Sequence, residues 1–152
     1  MHGLPNHLDL TVSDLARSSA FYDLVLTTLG YARSSEYAGD VPCWVLHMDV
    51  RMPRAQDAQK RPRGSAFSIG LHQARSDRVH DRYSTGLHHL ALHADSRAAI
   101  DAFHALLVSE GITVLDAPAE YDYTPGYYAV FFVDPDGIKL ELVHEPRFDV
   151  AR

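Results

Sequence analysis

The sequence predicts an α+β protein of two tandem βαβββ modules, forming a curved mixed sheet around a central cleft. Two observations carry this. First, the chain repeats itself. Sliding it by 82 residues lays His7-Leu8-Asp9-Leu10 on His89-Leu90-Ala91-Leu92, Ala20-Phe21 on Ala102-Phe103 and Leu24 on Leu106, with Gly30 one residue away from Gly111. Second, each copy switches from a two-residue period to a helical stripe and back, as a strand, a helix and further strands require.

The elements follow in order. His7 to Val12 and His89 to Ala94 alternate and open each copy as a strand with one buried face. Ser13 or Asp14 in the first copy, and Asp95 or Ser96 in the second, are helix N-cap candidates. Ala99, Ala102, Phe103, Leu106 and Leu107 form an amphipathic stripe, matched by Ala20, Phe21, Leu24 and Val25. Gly30 and Gly111 stand where a left-handed residue would end each helix. Strands are expected over Tyr31 to Tyr37, Cys43 to Val50 and Ala66 to Gln73, then over Ile112 to Leu115, Tyr127 to Val133 and Ile138 to His144. Asp134-Pro135-Asp136-Gly137 reads as a type I turn between the last two. The modules run from about residue 4 to 75 and 86 to 146, and the polar stretch Ser76 to Thr85 reads as their linker.

At 152 residues the chain can bury a core without a disulfide, and its single cysteine, Cys43, rules out an internal one. This fits a reducing cytoplasm. The first residues lack the basic and apolar pattern of a secretory signal, and no apolar run reaches membrane-span length. A net charge of −6 argues against a general nucleic-acid role. One stretch departs from the acidic balance: Arg51, Arg54, Lys60, Arg61 and Arg63 stand against Asp57 alone. It reads as a solvated loop, or as a lid that attracts an anionic substrate.

Period two then sorts the faces. Leu8, Leu10 and Val12 should pack under the helix, leaving His7, Asp9 and Thr11 toward the cleft. Likewise Leu90 and Leu92 pack, while His89, Ala91 and His93 face the cleft, and His88 falls on the packing side. In the last strand Lys139, Glu141 and Val143 share the cleft face. Glu141 is an acid in an apolar strand, so a cation is expected near it. His7, His89 and Glu141 are therefore the candidate metal ligands. Two imidazoles and a carboxylate suit Fe2+, Mn2+, Zn2+, Ni2+ or Co2+. Asp9 and His93 are candidates for the outer hydrogen bonds that orient ligand histidines.

These residues carry a resemblance. Asn6-His7-Leu8-Asp9-Leu10-Thr11-Val12 with Phe21-Tyr22, Gly86-Leu87-His88-His89-Leu90-Ala91-Leu92, and Asp134-Pro135-Asp136-Gly137-Ile138-Lys139-Leu140-Glu141-Leu142 resemble the vicinal oxygen chelate superfamily. That superfamily includes glyoxalase I, bleomycin-resistance proteins, fosfomycin-resistance enzymes and extradiol dioxygenases. The resemblance implies paired βαβββ modules and a divalent metal chelated by adjacent substrate oxygens, with His7, His89 and Glu141 as ligands. A fourth ligand slot is implied near Gly70, which has no side chain to coordinate with, and His72 on the same face is its possible substitute. A three-ligand set resembles the extradiol and fosfomycin enzymes more than glyoxalase I. Extradiol enzymes also carry a tyrosine near the metal; the matching position here is Phe131, and Tyr127 has the strand parity to fill the role.

The first expectation is thus a metal enzyme acting on a small oxygenated molecule, with Tyr127 and His93 as catalytic candidates and Trp44, Tyr127 and Phe131 lining its pocket. The alternative is a metal-free protein that sequesters a drug or natural product. A regulatory or structural relic of the fold is a third class, with no positive sign in the sequence. The resemblance further implies a homodimer.

Overall fold

The computed structural model describes residues 5–35, 41–48 and 65–146. The chain divides into two compact units, Met1–Asp77 and Arg78–Arg152. The basic stretch from Arg51 to Arg63 lies outside the described residues.

The first unit comprises β1 (His7–Val12), α1 (Leu15–Thr28), β2 (Ala32–Arg33), β3 (Cys43–Met48) and β4 (Ser65–Gln73). Its sheet has the order β1-β4-β3-β2. β1 runs parallel to β4, and the other neighbours are antiparallel. The expected alternation holds in β1: Leu10 and Val12 are buried, and His7, Asp9 and Thr11 are exposed. Asp14 caps α1, its carboxylate accepting from the Arg17 amide at 3.0 Å. At the other end Gly30 takes φ +87°. The Gly30 and Tyr31 amides turn back to the carbonyls of Thr27 and Leu26, closing a Schellman motif. Tyr22, Val25 and Leu26 bury one stripe of the helix, alongside the sheet residues Trp44, Ile69 and Leu71 in the core.

The second unit repeats this plan with β5 (Leu90–His93), α2 (Arg97–Ser109), β6 (Val114–Glu120), β7 (Tyr128–Val133) and β8 (Lys139–His144). Its order is β5-β8-β7-β6, again with one parallel pair, β5 and β8. Ser96 is the cap of α2, and Gly111 closes it with φ +68° and the same pair of turned-back amides. Ile100, Phe103 and Leu107 bury the helix, with Phe103 edge-on to Phe132 at 5.5 Å. In the turn, the Asp134 carboxylate accepts from the amides of Asp136 and Ile138, holding β7 and β8 in register.

Several boundaries differ from expectation. β2 is confined to Ala32–Arg33 among the described residues, rather than running on from Tyr31. β6 begins at Val114 and reaches Glu120, further than expected. It is an edge strand holding Pro118, and its pairing with β7 shifts register on either side of Asp116. Proline is tolerated there because an edge leaves amides outside the ladder. His89 and Tyr127 each lie one residue before their strand. No described helix is long and apolar enough to cross a membrane.

Candidate functional site

The second unit assembles the clearest group of polar side chains. Glu141 lies mid-strand on β8, paired in register with Ala91 of β5 and Phe131 of β7. It is only 2% exposed. A carboxylate so placed needs partners, because its desolvation costs several kcal/mol. It has two. The Tyr127 hydroxyl donates to its Oε1, and His89 Nε2 lies 3.2 Å from its Oε2. Burial, and then the hydrogen bond to Glu141, push the Tyr127 phenol well above its ordinary value, so it stays a donor through neutral pH.

The other ring nitrogen of His89 is engaged too. Its Nδ1 lies 2.7 Å from Nδ1 of His88, with the two rings edge to face. Tyr127, Glu141, His89 and His88 thus form one continuous polar chain from a buried carboxylate to an exposed imidazole. Beside it Ala129, Phe131 and Val143 form a buried apolar patch against which Tyr121 and Tyr127 pack. Tyr121 stacks on Tyr123 at 5.7 Å, and Tyr123 meets Tyr127 edge-on at 5.2 Å. The segment Glu120 to Tyr127 lines a concavity of about 320 Å³. His93 is exposed at the end of β5, in register with Val143, two residues beyond the Ala91–Glu141 pair.

The first unit carries His7, Asp9 and His72 on the sheet face away from α1. His7 Nδ1 lies 2.9 Å from the Asn6 side-chain oxygen. His72 pairs in register with Thr11, and its Nε2 lies 3.5 Å from Asp9 Oδ2. Trp44 corrects one expectation. It pairs with Ile69 on the helix side, fully buried, its indole N–H donating to Asp23 at 2.8 Å. It is a core residue and lines no cleft.

The comparisons bear on what this site belongs to. Residues 4–142 match the family model for the Glyoxalase/Bleomycin resistance protein/Dioxygenase superfamily. The chain belongs to that superfamily. The uncharacterized protein YqjT of Bacillus subtilis (strain 168) is 32% identical over 142 residues, covering 91% of this chain and 96% of its own. A glyoxalase candidate from Bacillus halodurans is similar in structure, with a TM-score of 0.68, 27% identity, and coverage of 93% of this chain and 95% of that one. The lactoylglutathione lyase of Agrobacterium tumefaciens shares the fold at 18% identity and a TM-score of 0.59, over 98% of both chains.

Superfamily members commonly use divalent metals, and the donors here can be tested against that. A nitrogen and an oxygen each about 2.1 Å from one metal stand about 3.0–3.4 Å apart. The 3.2 Å between His89 Nε2 and Glu141 Oε2 falls in that interval. Among the described residues no group of three or more His, Cys, Asp or Glu side chains is gathered as a metal site. The second unit therefore offers a matched pair of donors. Sequence reasoning missed His88. Strict alternation put it on the packing side, but it precedes β5, where alternation has no hold. The adjacent His88-His89 doublet was the available signal.

Proposed function

We propose that this superfamily member is a divalent-metal-dependent enzyme, acting on a small oxygenated substrate whose adjacent oxygens chelate the metal, with aromatic or catecholic molecules among the candidates. The observation that carries the reading is the buried Glu141 carboxylate with His89 Nε2 3.2 Å from its Oε2. In this reading His89 and Glu141 are ligands within the second unit, and His7, the repeat equivalent of His89, is the ligand candidate of the first unit. A bound ion supplies Lewis acidity to the substrate oxygens.

The chain's own residues divide the remaining work. His88 holds the outer nitrogen of His89 and so fixes the ring's orientation. Tyr127 occupies Oε1 of Glu141 and leaves Oε2 turned toward His89. His93 is the group assigned to moving the substrate's proton, while Tyr127, which stays protonated, serves by holding Glu141 in place. The exposed Tyr123 and the half-buried Tyr121 offer aromatic surface to an aromatic substrate, whereas Phe131, expected to line the pocket, is buried beneath Tyr121 and Lys139. The protein works as a homodimer in this reading, which light scattering checks.

The test loads the protein with Fe2+, Mn2+, Zn2+, Ni2+ and Co2+ in turn. It measures oxygen uptake with catechols, isomerisation of a methylglyoxal–thiol adduct and modification of fosfomycin. Metal-dependent turnover of one of them, lost in His89→Ala, is expected. No turnover with any metal contradicts the reading.

The tyrosine-lined concavity favours a second reading, metal-free capture of a drug or natural product through one aromatic group. Tight binding of bleomycin, unchanged by chelator and by His89→Ala, would support it instead.

A further inference from the structure

In the second unit the register sets Ala91 of β5 opposite Glu141 of β8. In the first unit the corresponding strands set Asp9 of β1 opposite Gly70 of β4. Asp9 and Ala91 are the same repeat position, 82 residues apart. Gly70 therefore holds the place that Glu141 holds in the other copy. Each unit has one acid and one small residue at this pair, but on exchanged strands.

The local geometry matches such an exchange. A Cβ built on Gly70 would lie 2.6 Å from Asp9 Oδ1 and 3.6 Å from Asp9 Cγ. The Asp9 carboxylate already fills the space where a side chain on β4 would begin. Gly70 is not among the glycines with positive φ, so the backbone there makes no demand for glycine. What the missing side chain provides is room for Asp9. The other oxygen, Oδ2, lies 3.5 Å from His72 Nε2. His7, two residues before Asp9 on β1, shares its face.

We propose that Asp9 is a metal-ligating carboxylate of the first unit, the counterpart of Glu141 carried on the neighbouring strand. This rests on the metal reading above. It gives His72 the part of an outer partner that steers the Asp9 carboxylate, rather than that of a ligand in its own right.

Mn2+ titration of the intact chain by calorimetry tests this without recourse to activity. The wild type is expected to bind Mn2+. Asp9→Asn keeps the side chain's shape, removes its charge, and weakens binding by at least about tenfold. Asp9→Ala weakens it similarly. Asp9→Ala with Gly70→Glu returns the acid to β4 and recovers most of the affinity. An Asp9→Asn protein that binds Mn2+ as the wild type does overturns the proposal and leaves the metal reading intact. So does a double variant that is folded by circular dichroism yet recovers nothing. If the double variant does not fold, the Asp9→Asn arm decides. A wild-type protein that binds none of Mn2+, Fe2+, Zn2+, Ni2+ and Co2+ in the same titration defeats the metal reading, and this proposal with it.

Discussion

The Tyr127 hydroxyl, from the residue just before β7, donates to Oε1 of Glu141 on β8, and so tethers a buried acid that an apolar strand would otherwise leave short of partners. Removing the donor while keeping the acid should therefore hurt. Tyr127→Phe is expected to lower stability in urea by about 1–3 kcal/mol, the cost of an unmet buried acceptor. In a Glu141→Leu background the same substitution should cost much less, because no acceptor remains. A double-mutant cycle with no coupling between the two sites would contradict the arrangement.

His88 should matter through His89. With its Nδ1 partner removed, the His89 ring loses the contact that orients it. His88→Ala is expected to weaken metal binding by about 10–100-fold, the usual effect of losing an outer hydrogen bond to a ligand histidine. His88→Gln, which still offers an acceptor and a donor, should recover part of the loss. Affinity unchanged in both variants would show that His88 does not steer His89.

Gly70 and Asp9 should be coupled in stability. In the wild type, Gly70→Ala drives a methyl group into the Asp9 carboxylate, 2.6 Å from Oδ1. That carboxylate is the end of a half-exposed side chain and can swing aside, so we expect only a small loss, below about 1 kcal/mol. In an Asp9→Ala background the same change meets no carboxylate. It should then be neutral or stabilising by about 0.5–1 kcal/mol, since glycine is unfavourable within a strand. Thermal melts of the four proteins supply the measurement. Equal effects in both backgrounds would contradict the packing.

Tyr31, at the end of the α1 Schellman turn, gives a pH prediction. Burial pushes its phenol up to about 12. An unfolded tyrosine ionises near about 10. Below that pH both states hold the proton, and the contribution is fully present. Above it the unfolded chain releases its proton first, so stability falls as pH rises from about 10 to 12. The loss is on the order of 2 kcal/mol. Tyr31→Phe should remove that portion of the alkaline loss. Denaturant melts between pH 8 and 11.5 compare the two proteins.

Much of this was legible in the sequence because local and tertiary signals agree. The alternation from His7 to Val12 named both faces of β1 correctly, and the offset of 82 residues matched β1 to β5. Gly30 and Gly111 end their helices as their positions implied. The misses have physical causes. Cys43 to Leu46 is apolar on both faces, so parity could not reveal that Trp44 turns toward the helix. The strand expected over Ile112 to Leu115 runs on to Glu120, because edge position and shifted register accommodate Pro118. The pairing of Asp9 with Gly70 was out of reach because it depends on strand register, which only the folded sheet displays.

Metal content is the most direct measurement. Protein purified without oxygen and without chelator, analysed by plasma mass spectrometry, is expected to carry about one divalent ion per chain. His89→Ala and Glu141→Gln, folded by circular dichroism, should carry almost none. Equal metal in the variants and the wild type, or none in any of them after incubation with each candidate ion, would contradict the account.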